Sequence, residues 1–283
     1  MKKVLVIIVT YNGRHWLQRC LGSVPSEADL YVFDNDSTDG SADFVAAHFP
    51  QAKLVRSAEN LGFSIPNNLG MRWALDHGYD YVYLLNQDAW LEAGALEKLL
   101  AAAEAHPDYA VLSPLQMTDG FQALDAQFAK CLPRSYENAP LVSVPRIMAA
   151  HWLIPVSAIR RLGLFAAELF PHWGQDDEWC QRACLAGLQV GVVPGARAVH
   201  DRARREEPLE TLVKRNYYTA SLLHLTDARR PLWMQWAYVC LFTLVKALKY
   251  RSFLPFKYFR QLLRQGSAVR EQRAFVRTRA HNT

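Results

Sequence analysis

Tyr81-Val82-Tyr83-Leu84-Leu85-Asn86-Gln87-Asp88 runs from an unbroken apolar and aromatic stretch straight into three polar side chains. The apolar part predicts a buried strand over 81–85. Residues two apart on an extended chain share a side, so Asn86 and Asp88 are expected to face one ligand together. A carboxylate at the C-terminal end of a buried strand is well placed to hold a divalent cation, whose other positions the oxygens of a diphosphate can fill. On these residues alone, a turn or a helix cap is the simpler reading of Asp88.

Outward from this stretch, strands alternate with helices. The β-branched run at 4–9 has the character of a central parallel strand, and 15–21 carries helical spacing stopped by Gly22. Further strands are expected at 30–33 and 53–56, and helices at 41–49, 67–77 and 92–105. This order predicts βαβ units, a parallel sheet and right-handed crossovers. Ligands of such sheets lie beyond the carboxyl ends of the strands. Thr10, Tyr11 and Asn12, the run from Asp34 to Asp39, and Asn86 to Asp88 therefore share one rim. From 107 to 171 prolines such as Pro114, Pro133, Pro140, Pro145 and Pro155 break the periodicity, and mixed strands and loops are expected, with a short strand at 141–144. A helix over 176–186 ends at Gly187, before a strand over 189–193 and a turn at Pro194-Gly195.

The 283 residues have ordinary apolar and charged fractions, enough for one large α/β domain with an appendage or for two small domains. Five scattered cysteines point to a reducing cytosol. The run at 4–9 is too short for a signal-peptide core, and no secretion signal is read. Cys180 and Cys184 have no second pair nearby to complete a zinc site, so packing is their expected role. The net charge of +5 conceals an asymmetry: residues 231–283 hold ten Lys or Arg against one acid, Glu271, leaving 22 basic and 26 acidic residues in 1–230. The two parts are expected to meet different partners.

The rim residues carry recognisable chemistry. Asp34 can accept from a pyrimidine N–H or a ribose hydroxyl, and Tyr11 offers an aromatic face to a base. A capped helix with Asx turns is the other reading of the run from Asp34. Asn60-Leu61-Gly62-Phe63 and Asn67-Asn68-Leu69-Gly70 put amides and glycines before a helix start, where backbone donors can approach a phosphate.

In order along the chain, Val9-Thr10-Tyr11-Asn12, Asp34-Asn35-x-Ser37-x-Asp39-Gly40-Ser41, Asn60-Leu61-Gly62-Phe63, Asn68-x-Gly70 and Leu85-Asn86-Gln87-Asp88 closely resemble the family 2 inverting glycosyltransferases over roughly residues 4–205. The resemblance implies the GT-A fold: α/β, with a Rossmann-like, mostly parallel sheet flanked by helices, followed here by a C-terminal helical extension. It implies a donor site of Thr10, Tyr11, Asn12, Asp34, Asn35, Asp36, Asn60, Gly62, Asn68, Asn86, Gln87 and Asp88. Asp88 matches the metal-binding member of the family's Asp-x-Asp motif and His200 a histidine that often completes the site, with Mn2+ or Mg2+ as cofactor. Asn86 replaces the motif's first acid, which lowers the negative charge offered to the cation. Asp176, in Trp173-Gly174-Gln175-Asp176-Asp177-Glu178, matches the base that deprotonates the acceptor hydroxyl. Because Gln175 stands where the family usually has Glu, Asp177 remains a second candidate. Three acids at a helix start also suit the helix dipole alone. Arg182 is expected to steady that helix or pair with phosphate. Trp173 and Trp152, with His172 and His151 beside them, are expected on the acceptor side, since indole faces stack on sugar rings; core packing is the alternative for Trp152.

Residues 231–245 contain Trp233, Trp236, Tyr238, Leu241, Phe242 and Leu244 but no charge, and Lys246, Lys249 and Arg251 follow. The segment is short for a span. It predicts an amphipathic element in a membrane interface, with Trp and Tyr at headgroup depth and cations on anionic lipid. A helical subdomain packed on the body, or a homodimer contact, is the alternative. No nucleic-acid motif accompanies the basic residues, and no nucleic-acid partner is expected.

The expected organisation is a catalytic domain over 1–205, with a donor half to residue 106 and an acceptor and base half over 107–205, then a basic helical extension over 206–283. The expected activity is inverting transfer from a nucleotide-diphospho-sugar to a hydroxyl of a bacterial surface glycan or lipid-linked saccharide. The expected location is the cytoplasm, peripherally on the inner face of the cytoplasmic membrane. The resemblance implies dTDP-rhamnose as first donor, with UDP-hexose or UDP-galactofuranose next. A nucleotidyltransferase needs a Gly-x-Gly-x-Arg loop where this chain has Tyr11-Asn12-Gly13-Arg14. A catalytically inactive nucleotide-sugar-binding protein would keep the motifs without turnover.

Overall fold

Residues 2–201 and 208–281 are described by the computed structural model. Strand β1 (Val4–Thr10) shows how the sheet is held. Leu5 and Ile7 enter one apolar layer with Met71 and Ala74, while Val4, Val6 and Ile8 enter the opposite layer with Leu17, Cys20 and Leu21. A strand covered on both faces needs no polar alternation. Then follow α1 (Arg14–Gly22), β2 (Asp29–Asp34), α2 (Ser41–His48), β3 (Lys53–Arg56), α3 (Ser64–Asp76) and β4 (Tyr81–Asn86), in the expected kind and order. β1 pairs in parallel with β2 and β4, and β2 with β3. The chain adds β2 and β3 on one side of β1 and then crosses to add β4 on the other. The crevice at the carboxyl ends of β1 and β4 is thus the switch point of the sheet.

Past β4 the alternation changes. β5 (Ala89–Leu91), α4 (Ala95–Ala105), β6 (Tyr109–Met117), β7 (Val142–Ser143), β8 (His151–Pro155), α5 (Val156–Leu162), α6 (Gln175–Leu185) and β9 (Gln189–His200) come next. The described residues form a nine-stranded sheet ordered β3-β2-β1-β4-β8-β6-β9-β5, with β7 on β9. β8 runs antiparallel to β4 and β6, and β5 and β7 run antiparallel to β9, while β6 and β9 are parallel. The sheet is therefore mixed, and its parallel character is concentrated in the first four strands. The expected turn at Pro194-Gly195 is instead a bulge: Val193 pairs with Pro114 and Arg197 with Leu115, and the strand continues to His200. A bulge admits proline where a regular ladder does not.

The remaining helices are α7 (Leu209–Val213), α8 (Ala220–Thr226) after a π-helical turn (Lys214–Thr219), α9 (Leu232–Tyr250), α10 (Leu254–Arg264) and α11 (Gly266–His281). They gather around an apolar cluster that takes in Leu169 and Phe170 from the loop before α6. From α11, Gln272 donates to Glu178 at 2.7 Å. These helices are thus a layer packed against α6 and the loop before it. The boundary expected at 205 lies outside the described residues. Of the two cysteines expected to pack, Cys180 is buried and Cys184 is exposed.

Candidate active site

The loops after β1, β2 and β3 use most of their polar groups on one another. Gln87 ties two strand ends: its Oε1 accepts from Thr10 Oγ1 and Tyr11 N, both at 2.8 Å, and its amide donates to Tyr11 O at 3.2 Å. Asn12, at φ 50°, donates its N–H to Ser37 at 3.0 Å and accepts from Thr38 N at 2.8 Å. Asn35 donates to Asn60 Oδ1 at 2.9 Å and Gly62 O at 2.8 Å, and accepts from Leu61 N at 2.7 Å. Asn68 places both ends of its amide on the Phe165 backbone, at 2.9 Å each. The amides of Asn35, Asn60, Asn68 and Gln87, expected as donor contacts, are brackets that shape the rim. Gly62 has φ +80°, and a Cβ there would stand 2.8 Å from Pro171 O, so this loop meets the segment before α6 only as glycine.

The brackets leave Asp34, Tyr11 and Asp36 open to a ligand. Asp34 is buried; its Oδ1 accepts from Ser37 N at 3.1 Å, and its Oδ2 has no hydrogen-bond partner among the described residues. A buried carboxylate oxygen without a donor is costly unless a ligand supplies one. Tyr11 beside it is exposed, as is Asp36 at φ 68°.

β4 ends at Asn86, and Gln87 and Asp88 form a turn before β5. The extended spacing expected to aim Asn86 and Asp88 at one ligand is therefore absent. The turn carries Asp88 to β9 instead: Ala89 pairs with His200, Asp201 N donates to Asp88 O at 2.8 Å, and His200 Nε2 lies 3.6 Å from Asp88 Oδ1. The Asp88 carboxylate suits either Mn2+ or Mg2+, the His200 imidazole nitrogen fits the softer Mn2+ better than Mg2+, and a two-residue set leaves positions for diphosphate oxygens. No group of three or more His, Cys, Asp or Glu fit to hold a metal ion occurs among the described residues. Asp201, which sequence reasoning missed, accepts from Trp16 Nε1 at 3.0 Å at the edge of this corner.

α6 starts after Gly174, at φ +86°, where a Cβ would stand 2.5 Å from Thr219. The three acids of its first turn have separate fates. Glu178 is buried against Arg182 at 2.8 Å, and Arg182 also donates to the carbonyls of Leu162 and Leu164, so it steadies the helix and is not available to phosphate. Asp177 pairs with Arg146 at 3.1 Å. Asp176 is partly buried and accepts from Asp177 N at 2.9 Å; burial first, then the neighbouring Asp177, push its carboxyl up to about 7. Adjacent acids held in different environments divide into different roles. Arg146, which makes the difference, lies in a proline-broken loop without periodicity to single it out.

Trp152 is fully buried, its ring 5.7 Å from Trp179 and 6.1 Å from Phe165, so it belongs to the core and not to an acceptor surface. His151 is buried too. Its Nε2 donates to Val199 O and its Nδ1 accepts from the Tyr83 hydroxyl, both at 2.9 Å, and burial pushes its imidazole down to about 4. It is a neutral tie between β4 and β9. Trp173 is half-buried and lines a 140 Å³ pocket with His172, Lys214, Tyr218, Gln261 and Gln265, the last four from the extension or its approach.

A family model described as Glycosyl transferase family 2 matches residues 5–160. The N-acetylglucosaminyl-diphospho-decaprenol L-rhamnosyltransferase of Mycobacterium tuberculosis is 31% identical over 266 residues, covering 81% of this chain and 85% of that protein. The undecaprenyl-phosphate mannosyltransferase of Micrococcus luteus is 34% identical over 107 residues, which span 35% of this chain and 44% of that relative's length. Mannosyltransferase PcManGT from Pyrobaculum calidifontis, solved in complex with GDP-Man and Mn2+, matches with a TM-score of 0.59 at 16% identity over 98% of this chain and 86% of that one, a likeness of fold.

Proposed function

The chain belongs to glycosyl transferase family 2 and has a GT-A type fold, and from that premise we propose an inverting transferase that moves a sugar from a nucleotide-diphospho-sugar to a hydroxyl of a surface glycan or lipid-linked saccharide. The observation that carries the reading is the carboxyl of Asp176, raised to about 7 at the start of α6 while Asp177 is held by Arg146. A sugar hydroxyl is a poor nucleophile at neutral pH. A carboxylate whose pKa lies near the operating pH takes the proton as the oxygen attacks the anomeric carbon, and one displacement inverts that carbon. Asp34 receives a base or ribose donor with its unpartnered oxygen, and Tyr11 offers its ring. Asp88 and His200 would hold Mn2+ or Mg2+, which when bound neutralises the departing nucleoside diphosphate. Trp173 is read as the acceptor-side aromatic.

A rhamnosyl donor such as dTDP-rhamnose and a lipid-linked acceptor are favoured by the Mycobacterium relative, whose name specifies both an L-rhamnosyl group and a diphospho-decaprenol substrate. UDP-hexose or UDP-galactofuranose is the second donor choice. Residues 1–205 are read as the catalytic part and 206–283 as an extension placing it on the inner face of the cytoplasmic membrane. A thermal-shift series with dTDP, UDP, GDP and their sugars, with and without Mn2+, tests the donor site. Binding at a hundred times Kd adds about 2.7 kcal/mol, a rise of several degrees. No shift with any of them contradicts the donor site. The product's anomeric configuration, read by NMR, is expected to be opposite to the donor's.

A further inference from the structure

α9 carries apolar side chains on both sides: Leu232, Trp236, Val239 and Phe242 pack against the helical cluster. Its buried residues are Gln235, Val239 and Thr243, and Thr243 bonds to the Tyr217 hydroxyl at 2.6 Å and to Val239 O at 2.7 Å. The opposite side presents Trp233 at 72% exposure, Leu241 at 63% and Leu248 at 79%, with Tyr238 and Leu244 also exposed. These positions recur at helical spacing and make an apolar outward face where a water-exposed helix has a polar one. Past the turn Phe253 is 85% exposed. It lines a 560 Å³ groove with Phe256, Lys257, Phe259 and Arg260. Exposed apolar surface of this extent marks a contact site.

Charge decides what covers it. Lys249, Arg251, Arg260 and Arg264 are exposed beside the apolar residues, and residues 231–283 hold ten basic side chains to one acidic. A second copy would set this basic surface against itself across a two-fold axis. A bilayer containing anionic lipid meets both properties at once, because cations bind its headgroups while Trp, Leu and Phe enter the acyl boundary. No helix among the described residues is long and apolar enough to cross a membrane. The inner stripe of α9 is committed to the protein, so the helix lies along the surface.

We propose that the outer face of α9, continued by Phe253 and the groove of α10, seats in an anionic bilayer surface. This rests on the membrane part of the proposed function and not on its chemistry. It gives that location a defined orientation: Gln261 of α10 and its C-cap residue Gln265 line the pocket of Trp173, which brings the acceptor side toward the lipid.

The test is sedimentation of the full chain with phosphatidylcholine vesicles containing roughly one-third phosphatidylglycerol, against pure phosphatidylcholine. Binding to the anionic vesicles is expected, weakening with salt. Leu241→Asp with Leu248→Asp should lower it roughly a hundredfold at unchanged melting temperature, and Arg260→Gln with Arg264→Gln roughly thirtyfold. Equal sedimentation of wild type and the leucine variant overturns the proposal, as does absence of vesicle binding. So does a dimer by light scattering that the leucine variant abolishes without any vesicle binding. Failed vesicle binding with nucleotide stabilisation intact removes this face and leaves the transferase reading standing. Vesicle binding without any nucleotide response does the reverse.

Discussion

The donor rim and the start of α6 meet at Pro171, whose carbonyl accepts from Phe63 N and Ser64 N at 2.9 and 3.1 Å, yet they treat polar groups in opposite ways. Along the rim, amide side chains answer one another until Asp34 Oδ2 is the open acceptor. At α6, two of three acids are neutralised by arginines and the third is left beside a like charge. Satisfied hydrogen bonds hold a binding surface in place, whereas an uncompensated carboxylate is reactive. In the proposed reaction the rim supplies geometry and α6 the proton acceptor.

The strongest way to break this contrast is Asp176→Asn. Transfer is expected to fall by about a thousandfold or more, while the thermal shift caused by nucleotide persists. The same variant should gain stability at high pH. The folded-state pKa of about 7 lies above the ordinary 3.8, so between these values the native state keeps a proton that the unfolded state has released. Wild-type stability therefore falls as pH rises through this window and stays reduced above it. The variant escapes that cost, and its Tm advantage over the wild type should be a few degrees at about pH 8, smaller at about pH 5, and absent at about pH 3, below the ordinary carboxylate value. Next in size is Gln87→Ala, which removes three bracket bonds from the rim. A loss of about 1–3 kcal/mol in urea unfolding is expected, with a higher donor KM and little change in kcat. A fall in kcat alone would place Gln87 in the chemistry.

Asp177→Asn sharpens the contrast at smaller amplitude. Burial is the first cause of the raised pKa of Asp176 and the Asp177 charge the second, so removing that charge should move the rising limb of the pH profile to lower pH. The maximal rate should change by less than about tenfold, since the base itself remains. Smallest is Asn86→Asp, expected to lower the Mn2+ concentration giving half-maximal activity only a few-fold. A second carboxylate adds charge, but the turn at Gln87 and Asp88 denies the two residues a shared strand side.

The parallel half was legible because its strands are buried on both faces and its helices carry plain starts and stops. β6 and β8 were not, since Pro114 lies within one and Pro155 ends the other, and only tertiary pairing turns those runs into strands. β5 has three residues and no pattern of its own. Asp34, Asp88, Asp176 and His200 are the proposed site residues that stand in motifs resembling the family's, at strand ends, a turn and a helix start. Their surroundings were not legible. Arg146 and Asp201 act through contacts between distant segments, and the aromatic Trp152 reads alike for a stacking surface or a core. The amides reveal a polar rim in one dimension, but which groups take their bonds is decided only when the loops meet.

The most direct test of Asp176 as the general base is the pH dependence of kcat/KM for sugar transfer by the full chain. The expected profile rises with pH and levels off above about 7, and Asp176→Asn removes both the limb and nearly all of the rate. A flat profile from about pH 5 to 9, or the same limb and rate in Asp176→Asn, would contradict it.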